Sequence, residues 1–221
     1  MLWALTTFFN PNGYERRLEN YRAFRERLAV PLLALEASHR GVFQLGEDDA
    51  DALVQVTCPD ILWQKERLLN VGLRALPAEC TQVAWLDCDI VFSRNDWAGL
   101  ASLELESTPL VHLCDEVRHL VPDAQLTNLA DAEFEGRLRS VAAAWQEGAV
   151  PPGMLHANTF TGPGFCTGYA WAAQRAMLEQ VGFYDACIVG GGDKAMFAAA
   201  IGRPDEVIEY PAARPVARPG G

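Results

Sequence analysis

Asp87 and Asp89 stand one residue apart inside the run Val83-Ala84-Trp85-Leu86-Asp87-Cys88-Asp89-Ile90-Val91-Phe92. Two carboxylates this close repel, and neither belongs in an apolar interior without compensating charge. A divalent cation held together with a diphosphate supplies that charge. The competing reading is a turn in which each Asp caps backbone N–H groups. The D-x-D spacing does not separate the two, so the elements around it must.

The apolar residues before Asp87 read as a strand buried on both faces, as in a parallel sheet. Both carboxylates then lie at the carboxyl edge of that sheet, where open α/β sheets bind ligands. A helix is expected over residues 61–76, capped by Asp60, with Ile61, Leu62, Leu68, Leu69, Gly72, Leu73 and Leu76 on its apolar face. Lys65 falls on the same face in the first turn. A helix in a right-handed β–α–β unit starts at the carboxyl edge. Lys65 therefore either points toward the two aspartates or snorkels to water.

The remaining elements alternate. Strands are expected over 2–9, 30–35, 42–45, 53–56 and 110–113, and helices over 14–28, 97–105, 131–145, 171–181 and 194–201. Asn10-Pro11-Asn12-Gly13 closes the first strand, and Glu47-Asp48-Asp49-Ala50-Asp51 reads as a solvated surface turn. Residues 122–128 read as loop, 161–168 as a glycine-rich segment and 211–221 as a loose tail. This alternation predicts an α/β fold with a mostly parallel sheet, as one domain over residues 1–210.

Half of the 221 residues are hydrophobic, enough for a sizeable core. Eighteen basic side chains against 29 acidic ones give a formal charge of -11, which argues against a nucleic-acid-binding face. A small anionic ligand stays possible, because local cations and helix N-termini can hold one. The six cysteines are scattered without a C-x-x-C pair, which reads as free thiols in a reducing, cytoplasmic setting. The apolar start at Met1 lacks basic residues and reads as a strand rather than a signal peptide. No apolar stretch approaches the roughly 18 residues of a membrane span.

Several segments, in order, resemble a nucleotide-sugar glycosyltransferase of the GT-A fold. Lys65-Glu66-Arg67-Leu68-Leu69-Asn70-Val71-Gly72-Leu73 is similar to the K-x-x-A-L-N-x-G-L helix of inverting family-two transferases. Asp87-Cys88-Asp89 resembles their D-x-D motif. Gly164-Phe165 through Arg175, followed by Val181-Gly182-Phe183-Tyr184-Asp185, resembles their acceptor-side segment. Gly191-Gly192-Asp193 stands where they carry G-G-E-D. The resemblance implies that a nucleotide-diphosphate sugar is contacted by Phe8, Asn10, Lys65, Asn70 and Asp87. It implies that Asp87 and Asp89 hold Mn²⁺ or Mg²⁺, with Asp87 alternatively on ribose hydroxyls. Asp193 is implied as the general base toward a hydroxyl acceptor. The cation and Lys65 would stabilise charge on the departing nucleoside diphosphate.

Two departures stand out: Gly192 replaces the usual Glu, and Lys194 replaces the aromatic residue after the acidic pair. Asp193 could instead be an N-cap, and Asn70 a tie to backbone. His119 and His156 are either further ligands or hydrogen-bonded loop histidines. A haloacid-dehalogenase-like phosphatase, with Asp87 as nucleophile, is the main rival. A nucleotidyltransferase would need a glycine-rich basic loop after the first strand, which the sequence lacks. A non-catalytic nucleotide-sugar-binding relative is the third class.

Overall fold

The computed structural model describes residues 1–62, 64–122, 124, 129, 132–153, 155, 164–186 and 190–208. His156, residues 161–163 of the glycine-rich segment and the 211–221 tail lie outside the described residues.

Strand β1 (Leu2–Phe9) is buried along its whole length. Helix α1 (Glu15–Glu26), β2 (Leu32–Ser38) and β3 (Ala52–Thr57) follow. Then come α2 (Lys65–Ala75), β4 (Gln82–Leu86), α3 (Trp97–Glu104) and β5 (Leu110–His112). The second half holds β6 (Glu116–Leu120), β7 (Phe134–Ser140), α4 (Val141–Gln146), β8 (Phe165–Cys166) and β9 (Ala170–Gln174). Helices α5 (Arg175–Val181), α6 (Gly192–Ala200) and α7 (Asp205–Ile208) complete the order.

The main sheet runs β3-β2-β1-β4-β9-β5. Strands β3, β2, β1 and β4 are parallel, and β9 runs antiparallel between β4 and β5. A smaller sheet, β6-β7-β8, stands beside it. The expected α/β class with a mostly parallel, helix-flanked sheet is what the chain adopts. Among the described residues no helix is long and apolar enough to cross a membrane.

Side-chain alternation along β1 splits the core in two. Trp3, Leu5 and Phe9 join Leu68, Leu69 and Leu73 of α2 on one face. Leu2, Ala4 and Phe8 join Tyr21 and Phe24 of α1, with Trp97 of α3, on the other. Each such fully buried side chain contributes roughly 1.5–3 kcal/mol. Helix α2 lies tight on the sheet because Gly72 carries no side chain. A methyl group there would run into the side chains of Leu35 and Leu5, both fully buried.

Several expected elements differ. Residues 134–140 form a strand, not part of a helix over 131–145. Phe-Glu-Gly-Arg-Leu-Arg-Ser alternates with period two, and β6 supplies a partner. Ser140 then caps α4 by accepting from the Ala143 N–H at 3.2 Å. Residues 170–174 fill the slot between β4 and β5, so the helix expected from 171 starts at Arg175. Helix α2 starts at Lys65 rather than 61, without Asp60 as its cap. Ile61 and Leu62 are 57% and 52% exposed and leave the apolar face they were assigned to. Residues 42–45 form no strand, because the N–H groups of Gln44 and Leu45 donate instead to the Glu36 carboxylate, at 2.6 and 3.1 Å.

Gly72→Ala should lower the unfolding free energy by about 1–3 kcal/mol through overpacking. Denaturant titration would read this as a lower midpoint at unchanged slope. An unchanged midpoint would mean that α2 can lift from the sheet.

Candidate functional site

Asp87 is the first residue past β4. Val83 and Trp85 face α2 while Ala84 and Leu86 face the other layer, so alternation turns Asp87 toward the start of α2. Its backbone N–H donates to the Tyr169 carbonyl at 2.8 Å. Tyr169 holds φ at 74°, the one non-glycine residue with positive φ among those described. Such conformations cost about 1–3 kcal/mol and gather at functional sites.

Lys65 opens α2 and meets Asp87 there. Its ammonium donates to Asp87 Oδ1 at 2.5 Å and to Asp193 Oδ2 at 3.4 Å. Burial opposes the charge on Lys65, but Asp87 and Asp193 outweigh it and hold the ammonium above the usual lysine range.

Asp193 is the second residue of α6, whose N-cap is Gly191, so it is not the cap itself. Gly190 and Gly191 take φ of 83° and 92°, which aims the helix start into the cleft. The carboxylate packs on Gly168, where a Cβ would lie 2.8 Å from Asp193 Oδ2. Burial pushes the Asp193 carboxyl up, Lys65 pulls against it, and Asp87 adds to a net rise.

These groups line a cleft of about 310 Å³. Asp89 is on its wall, as are Glu66, Thr7 and Arg17, which the sequence reading had not singled out. Arg17 carried one signal: with Arg16 it puts cations near the start of α1, against the helix dipole, where an anion would compensate. The cleft thus holds four carboxyl groups and two cations, Lys65 and Arg17. Hard oxygen donors with a shortfall of positive charge suit a divalent cation. Among the described residues no three His, Cys, Asp or Glu side chains meet as a ligand cluster. Cys88 is buried beside the cleft, and burial, with Asp89, pushes its thiol up to about 12. At neutral pH it is therefore held as the thiol rather than the nucleophilic thiolate.

Other expected contacts lie elsewhere. The Phe8 ring is fully buried against Tyr21, with ring centroids 5.2 Å apart, so its side chain cannot touch a donor. Strand alternation directs it into the core. Asn70 is a backbone tie: its amide donates to the Phe183 carbonyl and accepts from the Phe183 N–H, both at 2.8 Å. It fixes the segment after α5 instead of facing the cleft.

Asn10 borders a second hollow of about 250 Å³ with Glu36, Arg40 and Gln44. Its side chain donates to Gln44 Oε1 and to the Tyr14 carbonyl, each at 2.9 Å. His119 is exposed and meets the Tyr169 hydroxyl at 3.2 Å. The histidine that supports the site is His112, stacked on Trp171 with Nε2 2.8 Å from the Gly168 carbonyl and Nδ1 2.6 Å from Ser140 Oγ. A carbonyl only accepts, so Nε2 carries the proton. His112 thereby anchors the backbone against which Asp193 packs.

No protein-family model matches the sequence, and no curated protein sequence matches it. Solved structures similar to it include nucleotide-sugar transferases. One is a mannosyltransferase from Pyrobaculum calidifontis, solved with GDP-Man and Mn²⁺. It is 18% identical with a TM-score of 0.45, over 90% of this chain and 51% of that chain. Another is a glucosyl-3-phosphoglycerate synthase from Mycobacterium tuberculosis, solved with Mn²⁺, UDP and phosphoglyceric acid. It is 13% identical with a TM-score of 0.46, over 93% of this chain and 65% of that chain. A 4-diphosphocytidyl-2C-methyl-D-erythritolsynthase from Anaerococcus prevotii is 11% identical with a TM-score of 0.44, over 90% of this chain and 82% of that chain. The chain spans about half of the first and less than two thirds of the second. Likeness this low carries nothing about chemistry.

Lys65→Met should cost about 1–3 kcal/mol of stability, less than the roughly 3–5 of a fully buried pair, since the three side chains keep some exposure. In an Asp193→Asn background the cost should shrink by at least about 0.5 kcal/mol. Strict additivity in denaturation experiments would show that Lys65 and Asp193 do not interact.

Proposed function

We propose that this chain is a glycosyltransferase that moves a sugar from a nucleotide-diphosphate donor to a hydroxyl acceptor, with a divalent cation. The observation that carries the reading is the meeting of Asp87 and Asp193 on the Lys65 ammonium, in a cleft at the carboxyl edge of parallel strands.

Asp87 and Asp89 would hold Mn²⁺ or Mg²⁺, with phosphate oxygens and water as the remaining donors. Bound there, the cation supplies positive charge to the departing diphosphate. Lys65 and Arg17 bind the same phosphates and stabilise the charge that builds on them. Asp193 takes the proton of the acceptor hydroxyl, and its raised pKa makes it a better base than an ordinary aspartate. The hollow bordered by Asn10 and Glu36 takes the nucleoside end of the donor. The five described cysteines are free thiols, which suits a reducing cytoplasm.

Thermal-shift measurements with UDP, GDP, CDP and dTDP, each with Mn²⁺ or EDTA, test this on wild type and Asp89→Ala. One nucleotide should raise the Tm with Mn²⁺ alone, and the gain should vanish in the variant. At a hundredfold excess over Kd the stabilisation is about 2.7 kcal/mol. No shift with any nucleotide would sink the reading. Phosphate release from a phosphomonoester, lost in Asp87→Ala, would favour the phosphatase.

A further inference from the structure

Three glycines precede Asp193, but for different reasons. Gly190 and Gly191 have positive φ, whereas Gly192 begins α6 with an ordinary helical backbone that any residue can adopt. What excludes a side chain at 192 is space. A Cβ there would overlap the carboxyl group of Glu66, against its Oε1, Cδ and Cγ atoms.

Glu66 reaches that point from the second position of α2. Glutamate in a first helical turn ordinarily projects into water, where the helix dipole already favours it. Glu66 is instead only 7% exposed, with its carboxyl group on the cleft wall. Burial raises its pKa, its own backbone N–H opposes the rise, and Asp193 adds to it. A carboxyl group at this place offers its oxygens to a sugar hydroxyl.

Position narrows what it contacts. Lys65 spans Asp87, on the diphosphate side, and Asp193, on the base side. Glu66 is the next residue, and its carboxyl group abuts the residue before Asp193. With the donor and base placed as proposed above, the sugar in transit crosses this interval.

We propose that Glu66 contacts a hydroxyl of the transferred sugar and helps select that sugar, its carboxyl group occupying the volume that a side chain at 192 would fill. This rests on the transferase reading above. Gly192 is then the accommodation that admits a carboxyl group from a different helix.

The test compares the Kd of the nucleoside diphosphate that stabilises wild type with that of its nucleotide sugars, in Mn²⁺. The proteins are wild type, Glu66→Gln, Glu66→Ala, Gly192→Ala and the swap Glu66→Ala with Gly192→Glu. Glu66→Ala, which removes the carboxyl group, should weaken the preferred nucleotide sugar about tenfold relative to the diphosphate, as for one lost hydrogen bond to a charged or polar partner. Glu66→Gln, which keeps an acceptor, should weaken it less. The swap should restore most of that ratio. Gly192→Ala should lower the Tm of wild type but not of Glu66→Ala. An unchanged ratio in both Glu66 variants, with the diphosphate still binding, would overturn this inference alone. Wild type that binds no nucleotide would overturn the transferase reading, and this inference with it.

Discussion

One ammonium group organises the site. Lys65 is separated in sequence from Asp87 by 22 residues and from Asp193 by 128, yet donates to both. Carboxylates facing one cleft would repel across a low-dielectric wall, and a lone lysine at this depth would tend to lose its proton. Together they stabilise each other's charge. The start of α2, the end of β4 and the start of α6 must therefore converge. The sheet order satisfies this requirement by putting β4 beside β1, under α2.

Convergence alone does not set the reach of the lysine; packing does. Gly72 lets α2 settle onto Leu5 and Leu35, which fixes the height of the helix above the strands. Asn70, from the same helix, ties down the segment after α5 through the Phe183 backbone. His112 holds the Gly168 carbonyl, and Gly168 supports Asp193. The residues that hold the acidic groups in position thus sit mostly in the layers around the cleft.

The sequence made part of this legible. An apolar run ending in Asp87 and a helix opening near Lys65 are local patterns, and the handedness of β–α–β units brings them together without further information. Asp193 announced itself by the glycines before it. The place of Phe8 at a strand end was visible, but strand alternation decides that its ring faces the α1 layer rather than the cleft. Asn70 had two readings, and only the tertiary position of Phe183 chooses between them. Residues 134–140 alternate with period two, yet the wider window also fits a helix; β6 decides. Glu66 left no local trace, since its significance depends on Gly192, brought beside it only by the folded chain.

The place of β9 has a consequence for how the chain comes into being. It pairs with β4 and β5, both made long before it during synthesis, and runs antiparallel to each. Until residues 170–174 leave the ribosome, β4 presents an unpaired apolar edge. Such an edge is where nascent chains self-associate. The same late strand follows Tyr169, whose carbonyl receives the Asp87 N–H. Closing the sheet and seating the first acidic residue are therefore one event. A nascent chain halted before β9 would carry the D-x-D residues without the backbone that anchors them, and with one side of β4 unpaired.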